Sequence, residues 1–172
     1  MTRSAADIQD ALTRFDGVRV AVLQKVLAAD LQPEAEEELL ARLDGPDQIG
    51  ATWLVKALAE AGRLSDARMA AVFASLPELT EPDAVLHLLQ TVQHAPHAAR
   101  PHRQVLLRFA AARKLLVRVW AFDAYCRLAE GDAERADARE RIARALTDRS
   151  KAMQARARAL ARVFGMEDAD RS

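Results

Sequence analysis

Apolar residues recur at helical spacing along almost the whole chain, and short polar or Pro/Gly-bearing breaks divide them into segments. Ile8, Leu12 and Phe15 mark the first helix, over 4–15, with Ser4 as N-cap and Asp7 three residues on. Asp16 and Gly17 break it, and Val22, Val26 and Leu27 carry a second helix over 18–29. Pro33 opens a third, whose acidic start, Glu34 to Glu38, suits the positive end of a helix dipole. Further helices are predicted over 47–61, 65–75, 80–93, up to 111 from a start bracketed by Pro96 and Pro101, then 113–131, 133–147 and 150–165. No strand is expected, and residues 166–172 read as a polar tail.

The segment 113–131 is apolar nearly all round, interrupted before Glu130 only by Arg118, Asp123 and Arg127. Such a helix is normally buried on several sides. It also carries the single Tyr, the single Cys and one of the two Trp residues, so it is predicted to be the central helix. Leu115, Arg118, Phe122 and Tyr125 are assigned to its core side, and truncating Leu115 or Phe122 is expected to destabilise strongly.

Helix starts near 48, 65, 82, 99, 115, 132 and 150 recur about every 16 to 18 residues, so a helix pair with its turns forms the unit expected of an α-solenoid. The predicted fold is all-α, an α-α superhelix of about five helical hairpins in a single domain over 1–165. In residues 100–164 the chain resembles HEAT repeats, whose second helix often reads Val-Arg-x-x-Ala-x-x-x-Leu after a turn aspartate. Val117, Arg118, Ala121 and Tyr125 match the helical part, with Ala112 in place of the aspartate. In the last pair Asp148, Met153 and Ala157 fit, and Gln154 replaces the arginine. The resemblance implies that the second helix of each pair lines a concave surface that recognises a protein or peptide partner.

On that expectation Arg113, Leu116, Trp120, Asp123 and Arg127 form a partner-facing strip. Displacement by one repeat adds Arg149 and Arg156 in one direction and His87 in the other, and Trp53 and Lys56 lie one pair earlier. The alternative is that both tryptophans are core residues and that Asp123 and Arg127 are a simple i, i+4 pair.

Charge changes this picture in one respect. Residues 1–97 carry 8 basic and 15 acidic side chains and residues 98–172 carry 17 and 10, giving formal charges of −7 and +7. Nucleic-acid binding through the basic half is therefore the alternative function, and head-to-tail self-association is a further possibility. Trp120 and Asp123 are also similar to the aspartate and tryptophans of HEAT-like alkylpurine DNA glycosylases, which would make the protein an enzyme. Phosphate-binding loops, nucleophile elbows and metalloprotease signatures are all missing, which points away from catalysis.

Four histidines, His87, His94, His97 and His102, cluster in sequence without the cysteines or carboxylates that structural zinc needs, so they read as loop residues and no metal or cofactor is called for. Cys126 reads as a buried thiol in a reduced, cytoplasmic setting. With no run of about 20 apolar residues, a membrane partner is not expected.

Overall fold

The structure, a computed structural model, describes residues 2–166. The six residues that make up nearly all of the expected polar tail, 167–172, lie outside it. Among the described residues the chain is helical, with α1 (Ala5–Arg14), α2 (Ala21–Leu27), α3 (Pro33–Ala41), α4 (Gln48–Glu60), α5 (Asp66–Ala74), α6 (Pro82–Thr91), α7 (Pro96–Ala99), α8 (Leu115–Arg127), α9 (Gly131–Leu146) and α10 (Lys151–Val163). It divides into two compact units, Met1–Ala99 and Arg100–Ser172. The boundary falls where the formal charge changes sign.

In the first unit local chemistry sets the helix ends. Ser4 and Asp7 form a reciprocal capping box on α1, and the Ser65 hydroxyl accepts from Arg68 N on α5. Pro33 and Pro82 occupy first-turn positions of α3 and α6, where no amide donor is missed. The chain leaves α4 through Gly62, whose φ of 64° favours glycine.

The absence of strands is corrected by one small feature. Thr2–Arg3 (β1) pairs in parallel with Asp30–Leu31 (β2), in the register Thr2 to Asp30 and Arg3 to Leu31. Two arginines reinforce this corner by donating to carbonyls in the last turn of α2, Arg3 to Lys25 O and Arg63 to Leu27 O, each at 2.8 Å. They supply the donors that the free carbonyls of a helix C-terminus otherwise lack.

Alternate helices make the main packing layers: α1 lies chiefly on α3, and α4 on α6. Ile8, Leu23, Leu39, Leu54, Phe73 and Leu88 are completely or almost completely buried. Buried Gln48 on α4 accepts through Oε1 from Thr80 N (3.0 Å) and Glu81 N (3.2 Å), which caps the start of α6 from its neighbour.

Close approach is greatest at Gly50, where a Cβ would stand 2.9 Å from Leu12 Cδ2 and 3.0 Å from the Phe15 ring. Gly50→Val therefore overpacks the contact between α1 and α4 and is expected to cost about 1 to 3 kcal/mol, measured by urea unfolding. Unchanged stability would show that α1 gives way without strain.

The second unit departs from the expected α-helix before residue 111. Residues Arg100–Ala111 instead form a 12-residue 3-10 helix, longer than such segments usually run. With about three residues per turn, Arg100, Arg103, Leu106 and Phe109 fall in one row, and its middle members Arg103 and Leu106 are buried. This segment packs on α8, while α10 packs on both α8 and α9. Cys126, Ala138, Ile142, Leu160, Ala161 and Phe164 belong to a core of mostly small side chains, which permits close helix approach. Leu115 corrects the sequence expectation: it opens α8 and is 37% exposed, so it is not a core residue.

Candidate functional site

The buried polar groups of the second unit define its geometry. Arg103, with a side chain only 3% exposed, donates from Nε to Tyr125 O at 3.1 Å and meets Glu134 Oε1 at 3.2 Å through Nη1. Its guanidinium lies 3.8 Å from the Tyr125 ring centroid, a cation–π distance. Glu134 also receives Arg100 Nη2 at 3.0 and 2.9 Å on its two oxygens. Asp137 accepts Arg141 Nε at 3.0 and 2.9 Å, and the Arg141 guanidinium is 4.9 Å from the same tyrosine ring.

Arg141, then the Tyr125 hydroxyl, holds the Asp137 carboxyl below its ordinary pKa against the opposing effect of burial. The Glu130 backbone N–H, then Arg100, does the same for Glu134. The lattice joins the 3-10 segment to α8 and α9. Sequence reasoning missed it, although one signal was present: Glu130, Glu134, Asp137 and Arg141 recur at i, i+3/i+4 spacing opposite an Arg100/Arg103 pair.

A cleft of about 270 Å³ opens beside this lattice. Leu106, Leu107 and Ala110 of the 3-10 segment, Ala121 and Phe122 of α8, and Ala145 and Met153 provide its apolar surface. Arg118, Tyr125, Arg141, Arg144 and Asp148 supply the polar part. Arg118 is held in place by its bonds to Ala112 O (2.8 Å) and Arg113 O (3.1 Å). The volume is just under the usual range for small-molecule pockets.

The expected strip is placed differently. Asp123 is 1% exposed, so its carboxylate does not face outward. Its Oδ2 accepts Arg127 Nε at 2.6 Å, and Oδ1 lies 3.7 Å from Arg156 Nη1 without a hydrogen bond. Arg156 in turn stacks 3.9 Å from the centroid of a Trp120 ring, and Trp120 is half-buried. Trp120, Asp123, Arg127 and Arg156 are thus brought together as a tie between α8 and α10. Arg113, Leu116 and Arg149 lie at the surface.

Along the second half of α8 the face assigned to the partner is the covered one. The face assigned to the core, with Arg118, Phe122 and Tyr125, borders the cleft.

Trp53, Lys56 and His87 belong to the first unit. Trp53 is half-buried, and Lys56 pairs with Glu60 at 2.6 Å. His87 Nδ1 lies 3.0 Å from Thr52 Oγ1, which also donates to Gln48 O at 2.7 Å. A shallow depression in this unit, lined by Arg3, Asp30 and Arg63 among others, is polar. Both of its guanidiniums are engaged with carbonyls around the α2 terminus.

Among the described residues no three His, Cys, Asp or Glu side chains converge as a metal site, and no helix is long and apolar enough to cross a membrane. Burial, then the Asp123 charge, pushes the Cys126 thiol up to about 12, so it carries no thiolate at neutral pH and is a poor nucleophile. No protein-family model, curated protein or solved structure matches the chain.

Removing Arg103 leaves the Tyr125 carbonyl without its donor and Glu134 with Arg100 as its remaining cation, so Arg103→Ala is expected to cost about 1 to 3 kcal/mol in urea unfolding. A loss below about 1 kcal/mol would mean that the lattice is incidental.

The two depressed carboxyls give a second outcome. Their stabilising effect is complete above the unfolded-state values near about 4 and is lost as pH falls through the lower folded-state values. The urea midpoint should drop between about pH 5 and about pH 3, and Asp137→Asn should flatten that drop. Parallel profiles for the two proteins would exclude Asp137 as a source.

Proposed function

We propose that this protein is a non-catalytic helical scaffold of HEAT-like hairpins that binds a protein or peptide segment, with the cleft of the C-terminal unit as its seat. The observation that carries this reading is the cleft itself: an apolar surface on four helical segments with arginines beside it. Apolar anchors in such a groove supply affinity and the few polar groups fix orientation. Alternate-helix packing within each unit, α1 on α3, α4 on α6 and α8 on α10, supports the HEAT-like assignment. Cys126 has no activating environment and Asp123 is closed off by α10, which argues against a catalytic role for either.

Nucleic-acid binding is the second reading, favoured by Arg149, Lys151 and Arg158, which are exposed and form no ion pair among the described residues. It ranks lower because Arg100, Arg103, Arg127, Arg141, Arg144 and Arg156 already face carboxylates of their own unit. Each such pair leaves less positive charge for phosphates.

The test is selection of a random peptide library on the full chain, followed by amide-shift mapping. Enriched peptides are expected to perturb Leu106, Ala121 and Met153 and to bind Ala110→Trp about tenfold more weakly, because that exposed alanine borders the cleft. Failure to enrich any peptide, or shifts confined to other surfaces, would overturn the assignment.

A further inference from the structure

Resting on that reading of the cleft, we infer that its occupant is an acidic amphipathic helix, with apolar anchors on the cleft surface and carboxylates on Arg118 and Arg144. The charge of the lining carries the first half of the argument. Arg118, Arg141 and Arg144 outnumber the single acid, Asp148, and residues 100–172 carry a formal charge of +7. Arg118 is pre-oriented by two backbone carbonyls, and preorganised guanidinium forks favour carboxylates. Arg144 meets Glu140 at 3.4 Å with both side chains well exposed. Such a pair is weak and is readily exchanged for a carboxylate at a drier position.

The helical form follows from the cleft walls. They are contributed by helical segments and their turns, and helical amides and carbonyls bond within their own element, so no sheet edge is available to pair with an extended chain. A helix satisfies its own backbone and presents anchors at i, i+3/i+4 and i+7. Such anchors suit the apolar lining that Leu107, Ala110, Phe122 and Met153 share. The chain's own most acidic helix, α3, does not qualify as the occupant, because its apolar residues Ala35 and Leu39 are buried.

Three synthetic helical peptides of about 16 residues test the inference. They share one leucine face and carry flanking Glu, Gln or Lys, and fluorescence anisotropy reads their binding to the full chain. The Glu peptide is expected to bind about tenfold more tightly than the Gln peptide, and the Lys peptide more weakly than either. Replacing Arg118 and Arg144 together by Gln should abolish the Glu preference, so that the Glu and Gln peptides bind this variant equally. Ala110→Trp should weaken the Glu and Gln peptides alike.

Equal affinities of the Glu and Gln peptides, with both weakened by Ala110→Trp, would overturn the acidic class and leave the cleft assignment intact. Insensitivity of every peptide to Ala110→Trp would overturn both. Concentration-dependent sedimentation of the chain alone that Ala110→Trp abolishes would assign the cleft to a second copy. Tighter binding of a DNA duplex than of the Glu peptide, lost in the double arginine variant, would assign it to nucleic acid. Either of these last two results overturns the acidic-helix occupant.

Discussion

The C-terminal unit depends on a guanidinium taken out of water. Arg103 lies against the Tyr125 ring, donates to the Tyr125 carbonyl and faces Glu134. Burying a cation is tolerable only when its charge is met, and a ring face, a carbonyl and a carboxylate do most of this for Arg103, whose Nη2 has no hydrogen-bond acceptor and lies 3.9 Å from Asp137 Oδ2. The core of α8, α9 and α10 mixes small residues such as Ala138 and Ala161 with larger ones such as Ile142 and Phe164, and polar contacts add to its apolar burial. Ionic and hydrogen-bonded contacts fix how the 3-10 segment, α8 and α9 register against one another.

Asp123 plays a parallel part on the other side of α8. One oxygen is satisfied by Arg127, and Arg156 from α10 is held between the indole of Trp120 and the second oxygen. A carboxylate in this position orients cations of its own unit. α8 therefore uses two polar devices, Tyr125 with Arg103 and Asp123 with Arg156, to bind the elements on either side of it. The open face left between them is the one that carries Arg118 and Phe122.

The helices themselves were legible because their ends are written in local chemistry. Ser4, Ser65 and Ser150 accept from first-turn amides, Pro33 and Pro82 sit where a proline costs nothing, and the glycines after α4 and α10 adopt positive φ. The orientation of α8 was not legible. With apolar residues on nearly every side, periodicity has no preferred direction: Leu115 is expected in the core and is exposed, and Asp123 is expected on the open strip and is buried. Arg103 was hidden for a different reason. It stands in a stretch rich in histidine and proline that looks like solvent-exposed loop, and its acidic partners are more than 30 residues away. The two-residue parallel pairing of β1 and β2 is likewise a tertiary event, too short to leave a pattern.

The 3-10 form of Arg100–Ala111 sets a length as well as a row. At a rise of about 2.0 Å per residue it reaches roughly 24 Å, against about 18 Å for the same residues as an α-helix. In an α-helix each third residue also falls back by about 60°, so Arg100 and Phe109, now on one edge, would end on opposite sides. The segment carries ion-pairing groups at one end and part of the cleft wall toward the other. Tightening its winding to fit a partner, or relaxing it, would be felt at both ends, so cleft shape and lattice integrity are mechanically one property.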